Sequence, residues 1–253
     1  MHSATIKQCL FIFCLFMFCS VTISSKGSKD ENKSFTDLYK LNNGYSSIEM
    51  AQLDKSVISN KTYRDIKLTY ASIKNATIQS VIFANVNLSH ATLSNSIITK
   101  SIITDSKLYN INLKQTDLRY SLFNNSNLIL SSLDGADCSY SKMAYCIFQQ
   151  STLKKVNFKN AYLYKSNFSN SNLLNSTFHS AYAQYVNFTK ANLRNVSFKN
   201  ADLQKAIFKS AILMKTDFTH ADLRDAFMPE KYREMLWKQK IKNFKHIRWQ
   251  DQW

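Results

Sequence analysis

The chain has 253 residues, a formal net charge of +16, three glycines, one proline and five cysteines. Three glycines leave no phosphate-binding Gly-rich loop. The cysteines make no disulfide framework, since three fall within residues 1–24.

Residues 1–24 read as a secretory signal peptide. Lys7 precedes an apolar run from Cys9 to Cys19, and the small residues Thr22 and Ser24 suit a cut after Ser24. The run is shorter than the about 20 residues of a membrane span. Cys19 stands where a lipid anchor would attach, but Phe18 replaces the small residue that should precede it. This reading exports the protein to the periplasm or beyond the cell. Residues 25–50 are expected to be a polar linker, to about residue 34, and then an N-terminal cap.

From residue 51 to residue 228 a period of five takes over. Every fifth residue from Leu53 to Met228 suits a core, 31 of the 36 being Leu, Phe or Ile. Two places before each stands a small residue, as at Ala51, Ala71 and Ala211; only Lys61, Ile66 and Ile111 depart from Ala, Ser, Thr, Val or Cys. A period of five fits neither a helix nor a flat strand, so it marks a repeat architecture. In extended backbone the small and large residues share a side. Each unit must then turn a corner, because continued alternation would carry the next large residue outward. Stacked closed coils bury every large residue on one axis, and stacking supplies the stability. Cys138 and Cys146 take inward positions, where a thiol acts as a small hydrophobe.

The units Ala191-Asn192-Leu193-Arg194-Asn195, Ala201-Asp202-Leu203-Gln204-Lys205 and Ala221-Asp222-Leu223-Arg224-Asp225 resemble the pentapeptide-repeat family, written A(D/N)LXX. The resemblance implies an all-β solenoid, a right-handed quadrilateral β-helix with four units per coil and about nine coils, roughly 40 Å long. Beyond it, Pro229 stops the repeat, and residues 229–253 are expected to form a C-terminal capping α-helix from Glu230 to about Phe244 with a basic aromatic tail. Some members of the family are acidic DNA mimics that inhibit gyrase; a net charge of +16 and an export signal set this chain apart from them. Others are effectors delivered by intracellular bacteria.

Folding the block into four faces, beginning with Ala51–Lys55, sorts its surface. The first and fourth faces carry 11 bases and 2 acids, the second and third 10 bases and 8 acids. This basic edge, Lys67, Lys74, Lys107, Lys114, Lys154, Lys155, Lys190, Arg194, Lys209 and Lys215, would attract a polyanion or an anionic membrane surface. A merely solvated surface is the alternative. On the third face, the outward position before the large residue reads Ile82, Ile102, Leu122, Lys142, Tyr162 and Tyr182, with Tyr145, Tyr164 and Tyr185 close by. The family prefers Asp or Asn there. Such a ladder, about 25 Å long, either contacts a protein partner or a second copy, or only stabilises the sheet.

Catalysis finds little support. His90, His179, His220 and His246 are scattered, and Asp217 and His220 have no nucleophile beside them. The expectation is a non-enzymatic scaffold without cofactor, metal or small-molecule substrate. Its partner is an unknown protein or a homodimer, with polyanion or membrane binding as the alternative.

Overall fold

The computed structural model describes residues 29–250. The predicted signal peptide and the last three residues lie outside them. The chain forms a right-handed quadrilateral β-helix of about ten turns. Successive coils pair in parallel at a spacing of twenty residues, as in Ile82 with Ile102 and Tyr162 with Tyr182.

The corner of each unit is its fifth residue. From Met50 to Asp225 every fifth residue has positive φ, between +52° and +63° except at Gly135. Left-handed backbone costs an ordinary residue about 1–2 kcal/mol, and Asn and Asp, which tolerate it best, recur there. The corner amide is held by the next coil: Lys155 N–H donates to Leu174 O at 2.9 Å and Asn195 N–H to Met214 O at 3.0 Å. Gly135 takes the left-handed corner without the Cβ that makes it costly elsewhere.

Two corner types occur. Through the C-terminal half, the small residue's N–H donates to the preceding large residue's C=O, as from Ala191 to Phe188 at 3.0 Å. Positive φ at the third turn position makes these type II turns. Near the N-terminus the second and third faces extend instead into short parallel strands. β1 (Val57–Ser59), β3 (Thr77–Gln79) and β5 (Ile97–Thr99) form one sheet; β2 (Thr62–Arg64), β4 (Ile82–Ala84) and β6 (Ile102–Thr104) form the other. The first residue of each strand, Val57, Thr62, Thr77, Ile82, Ile97 and Ile102, is β-branched, which favours extension. A serine of the next coil then bridges the opened corner. Ser96 Oγ accepts from Ala76 N–H at 3.0 Å and donates to Ile73 O at 2.7 Å. Ser121 does the same between Ser101 N–H (3.2 Å) and Ile98 O (2.6 Å). Serines such as Ser96 and Ser121 at inward small positions are thus hydrogen-bonded bridges, which alanine could not supply.

Phenylalanines organise the C-terminal interior. Phe158, Phe178, Phe198 and Phe218 stack at 4.8–5.1 Å on the second face. Phe148, Phe168, Phe188 and Phe208 stack at 4.6–5.5 Å on the fourth. The columns meet edge to face across the axis, as between Phe188 and Phe198 at 5.4 Å, an arrangement that adds to simple burial.

Both ends differ from expectation. Residues 29–34, read as linker, begin helix α1 (Lys29–Asn42). Leu38 and Leu41 join the core, and Asp37 Oδ2 accepts the edge amide of Gln52 at 2.8 Å. The solenoid also starts one unit early: Ile48 is buried, Met50 has a corner conformation, and Ser47 pairs with Lys67. At the other end the expected helix is short. A 3-10 turn (Glu230–Tyr232) leads into helix α2 (Arg233–Trp237), which stops because the last coil needs partners. Gln239 accepts from Phe218 N–H at 2.6 Å and donates to Thr216 O at 3.1 Å, and Lys240 O accepts from His220 N–H. Strand β8 (Arg248–Gln250) then pairs with β7 (Phe227–Pro229). The Gln239 side chain and the extended backbone beyond it occupy the edge of the last coil, so the tail completes a further turn.

Phe178→Ala should cost about 3–5 kcal/mol of stability, and Ser121→Ala about 1–3 kcal/mol by leaving buried groups unpaired; denaturant unfolding measures both. Removing residues 230–253 should bare the edge of the last coil and produce concentration-dependent association in light scattering.

Candidate protein-interaction surface

The twenty-residue register brings the predicted third-face residues together. Ile82, Ile102, Leu122, Lys142, Tyr162 and Tyr182 form one outward column of paired neighbours. Ile82, Ile102 and Leu122 are half-buried, so the N-terminal part of the column serves the sheet. Lys142 is exposed and interrupts the apolar run. The C-terminal part is open, with Tyr162 and Tyr182 at 40% and 53% exposure.

Beside it runs the corner between the third and fourth faces, where Tyr145, Lys165, Tyr185 and Lys205 alternate one coil apart. The ammonium of Lys165 lies 5.9, 5.2 and 5.7 Å from the ring centres of Tyr145, Tyr164 and Tyr185. Tyr164 meets Tyr145 and Tyr185 edge to face, each at 5.6 Å, and stacks with Tyr162 at 6.3 Å. Lys205 Nζ donates to Tyr185 Oη at 3.0 Å, which raises the pKa of its ammonium. Lys165 was missed by reading the outward column alone. Counting twenty from Tyr145 along the corner finds it.

The basic edge is weaker than its charge count. Unit 46–50 places Glu49 on the fourth face, where it pairs with Lys67. Asp54 pairs with Lys74 at 3.3 Å, and its pKa is lowered: burial opposes the shift, but the Lys74 amide, the Ser72 hydroxyl and the Lys74 ammonium outweigh it. Asp134 accepts from the Lys154 amide at 2.8 Å. Lys107, Lys114, Lys154, Lys155, Lys190, Arg194 and Lys215 form no ion pair among the described residues; Lys209 lies on the same edge. In the tail, Arg233 pairs with Glu230 and lies over Trp249, Lys238 pairs with Glu234, and Arg248 pairs with Asp225. Arg248 thereby ties the last turn to the solenoid, the other two pairs are local to the helical turn, and Lys231, Lys240, Lys242 and Lys245 form no ion pair among the described residues. On the second face, the guanidinium of Arg119 holds the Asp117 carboxyl below its ordinary range.

No group of three His, Cys, Asp or Glu among the described residues is arranged to hold a metal ion. Asp217 accepts from Thr219 N–H and Oγ1 and pairs with Lys199, so it is engaged away from His220. No described helix is long and apolar enough to cross a membrane.

The description "Pentapeptide repeats (8 copies)" matches residues 106–137 and 131–170, and "Pentapeptide repeat region" matches residues 151–228. The chain belongs to the pentapeptide-repeat family. This pentapeptide-repeat protein is similar to HetL of the cyanobacterium Nostoc sp. strain PCC 7120, involved in heterocyst differentiation regulation. Identity is 21% over 74% of this chain and 94% of HetL, with a TM-score of 0.40. It is also similar to a pentapeptide repeat protein of the Arabidopsis thaliana thylakoid lumen, with 27% identity over 41% of this chain and 72% of that one, TM-score 0.40. A third is a trypsin-treated form of QnrB1, a plasmid-mediated fluoroquinolone resistance protein, with 16% identity over 81% and 92% of the two chains, TM-score 0.45. No curated protein matches the sequence.

Cys138 and Cys146 are fully buried free thiols. Burial pushes Cys146 up to about 12 and Cys138 well above its ordinary value. A thiol with a raised pKa stays protonated and unreactive until the pH approaches that value. Both should resist iodoacetamide at pH 8 in the native protein and react after unfolding, as read by peptide mass mapping.

Proposed function

We propose that this pentapeptide-repeat protein is an exported, non-enzymatic scaffold that binds another protein, or a second copy of itself, through the C-terminal half of its third face. The observation that supports the reading most is the pair Tyr162 and Tyr182, open to solvent where the family's unit carries Asp or Asn, with exposed Tyr145 and Tyr185 and half-buried Tyr164 beside them. Tyrosine offers large contact area with a polar tip and is enriched at interfaces. A rigid solenoid presents it with little further ordering cost. Export rests on the predicted signal at residues 1–24, and delivery as a bacterial effector is one route such a scaffold would take.

A second reading has its own support in the unpaired bases of the first and fourth faces, which suit a polyanion or an anionic membrane surface. That binding would weaken steeply with salt.

Tyr162→Asp and Tyr182→Asp together should leave the fold intact, because both side chains point outward, and should abolish the association. Crosslinking from the third face in the native cell, with solution mass to detect self-association, measures it. A wild-type protein that is monomeric and crosslinks to nothing through that face would overturn the proposal. Binding to heparin that vanishes with salt and with charge removal at Lys154 and Lys155 would favour the second reading.

A further inference from the structure

We infer that the corner around Lys165 is the docking point for an acidic peptide segment of the partner, with the Lys165 ammonium as its anchor. The inference rests on the interface reading above and gives it a chemical class.

The first observation is local charge. Units 141–145, 161–165 and 181–185 of the third face hold Lys142 and Lys165 and no carboxylate. The adjoining fourth-face units 146–150, 166–170 and 186–190 add Lys190 and again no acid. Elsewhere the same corner carries Asp65, Asp105 and Asp225. The acid-free window therefore coincides with the tyrosine cluster.

The second observation is the state of the ammonium. Lys165 forms no ion pair among the described residues, and its neighbours are three ring faces. Cation–π contact steadies the charge while leaving the ammonium's N–H donors available. Lys205, two coils further along and so about 10 Å away along the axis, presents a second ammonium beside the Tyr185 hydroxyl. The exposed rings of Tyr145 and Tyr185 flank the two ammonium groups.

The third observation separates a carboxylate ligand from other anions. Nucleic acid bases and sugars need an open aromatic face on which to stack. Here Lys165 lies over the three rings, and Tyr164 meets its two neighbours edge to face. What remains outward is hydrogen-bond donors and positive charge, which match Asp and Glu side chains.

The test is fluorescence anisotropy of a fluorescein-labelled deca-glutamate peptide titrated with the full chain, with a heparin decasaccharide as the competing polyanion. The peptide should bind, and Lys165→Glu and Lys165→Met should each weaken it at least about tenfold, as for loss of a charged hydrogen bond. Paired Lys154→Gln and Lys155→Gln on the first face should change it little. Unchanged affinity in both Lys165 variants, or Lys165-dependent binding of heparin but not of the peptide, would overturn the inference. The two readings fail separately. If the Tyr162 and Tyr182 variant loses its association while Lys165→Met keeps the peptide's affinity, the interface stands and the acidic partner falls. If the peptide depends on Lys165 but nothing crosslinks to the third face, the acid-binding corner stands and the scaffold reading falls.

Discussion

One constraint governs this molecule: every fifth residue must hold a left-handed backbone, and nearly every such residue has its amide bonded to the next coil. In an isolated unit the conformation would be unfavourable for Lys, Tyr or Leu, which occupy corners at Lys155, Tyr185 and Leu130. Stacking makes it recurrent. Once the corner is fixed, the twenty-residue register follows, and with it every inward column and every outward one. The Phe columns, the serine bridges and the tyrosine cluster are all consequences of side chains repeating in one column.

That dependence explains what could be read from the residues and what could not. The inward positions were legible from Leu53 to Met228 because burial selects strongly on size and polarity. The outward columns were legible by counting twenty, and the structure places Tyr162 beside Tyr182 as the count requires. Corner conformation left only a weak compositional trace, since Asn and Asp share the position with Lys, Tyr, Ser and His. Glu49 was overlooked because the repeat was counted from Ala51, although Ser46 and Ile48 continue its small and large positions one unit further. The tail misled for a different reason. Its composition favours a helix, but the open edge of the preceding coil demands backbone donors and acceptors, and that tertiary demand outweighs local preference.

Charge shows the same hierarchy. Projected from sequence, the first and fourth faces gather most of the positive excess. In three dimensions Glu49 and Asp54 neutralise the end of that strip nearest the N-terminus, while Arg233, Lys238 and Arg248 of the tail pair with carboxylates. Exposed pairs of this kind contribute modestly to stability, yet they alter what the surface offers to a partner. The Lys165 corner is smaller than the basic edge, but there a single unpaired ammonium lies against three tyrosine rings.

The spacing of the coil hydrogen bonds also bears on how the molecule is made. Most β proteins pair strands far apart in the chain and fold slowly as a result. Here a newly arrived segment finds its partner about twenty residues behind it, already in place. The α1 cap emerges first and offers Asp37 to the opening coil, so assembly can run in one direction without waiting for the other end. A chain threaded through a narrow exit could therefore fold at the pace of its delivery, with an unpaired edge exposed for only one coil at a time until the final turn closes it.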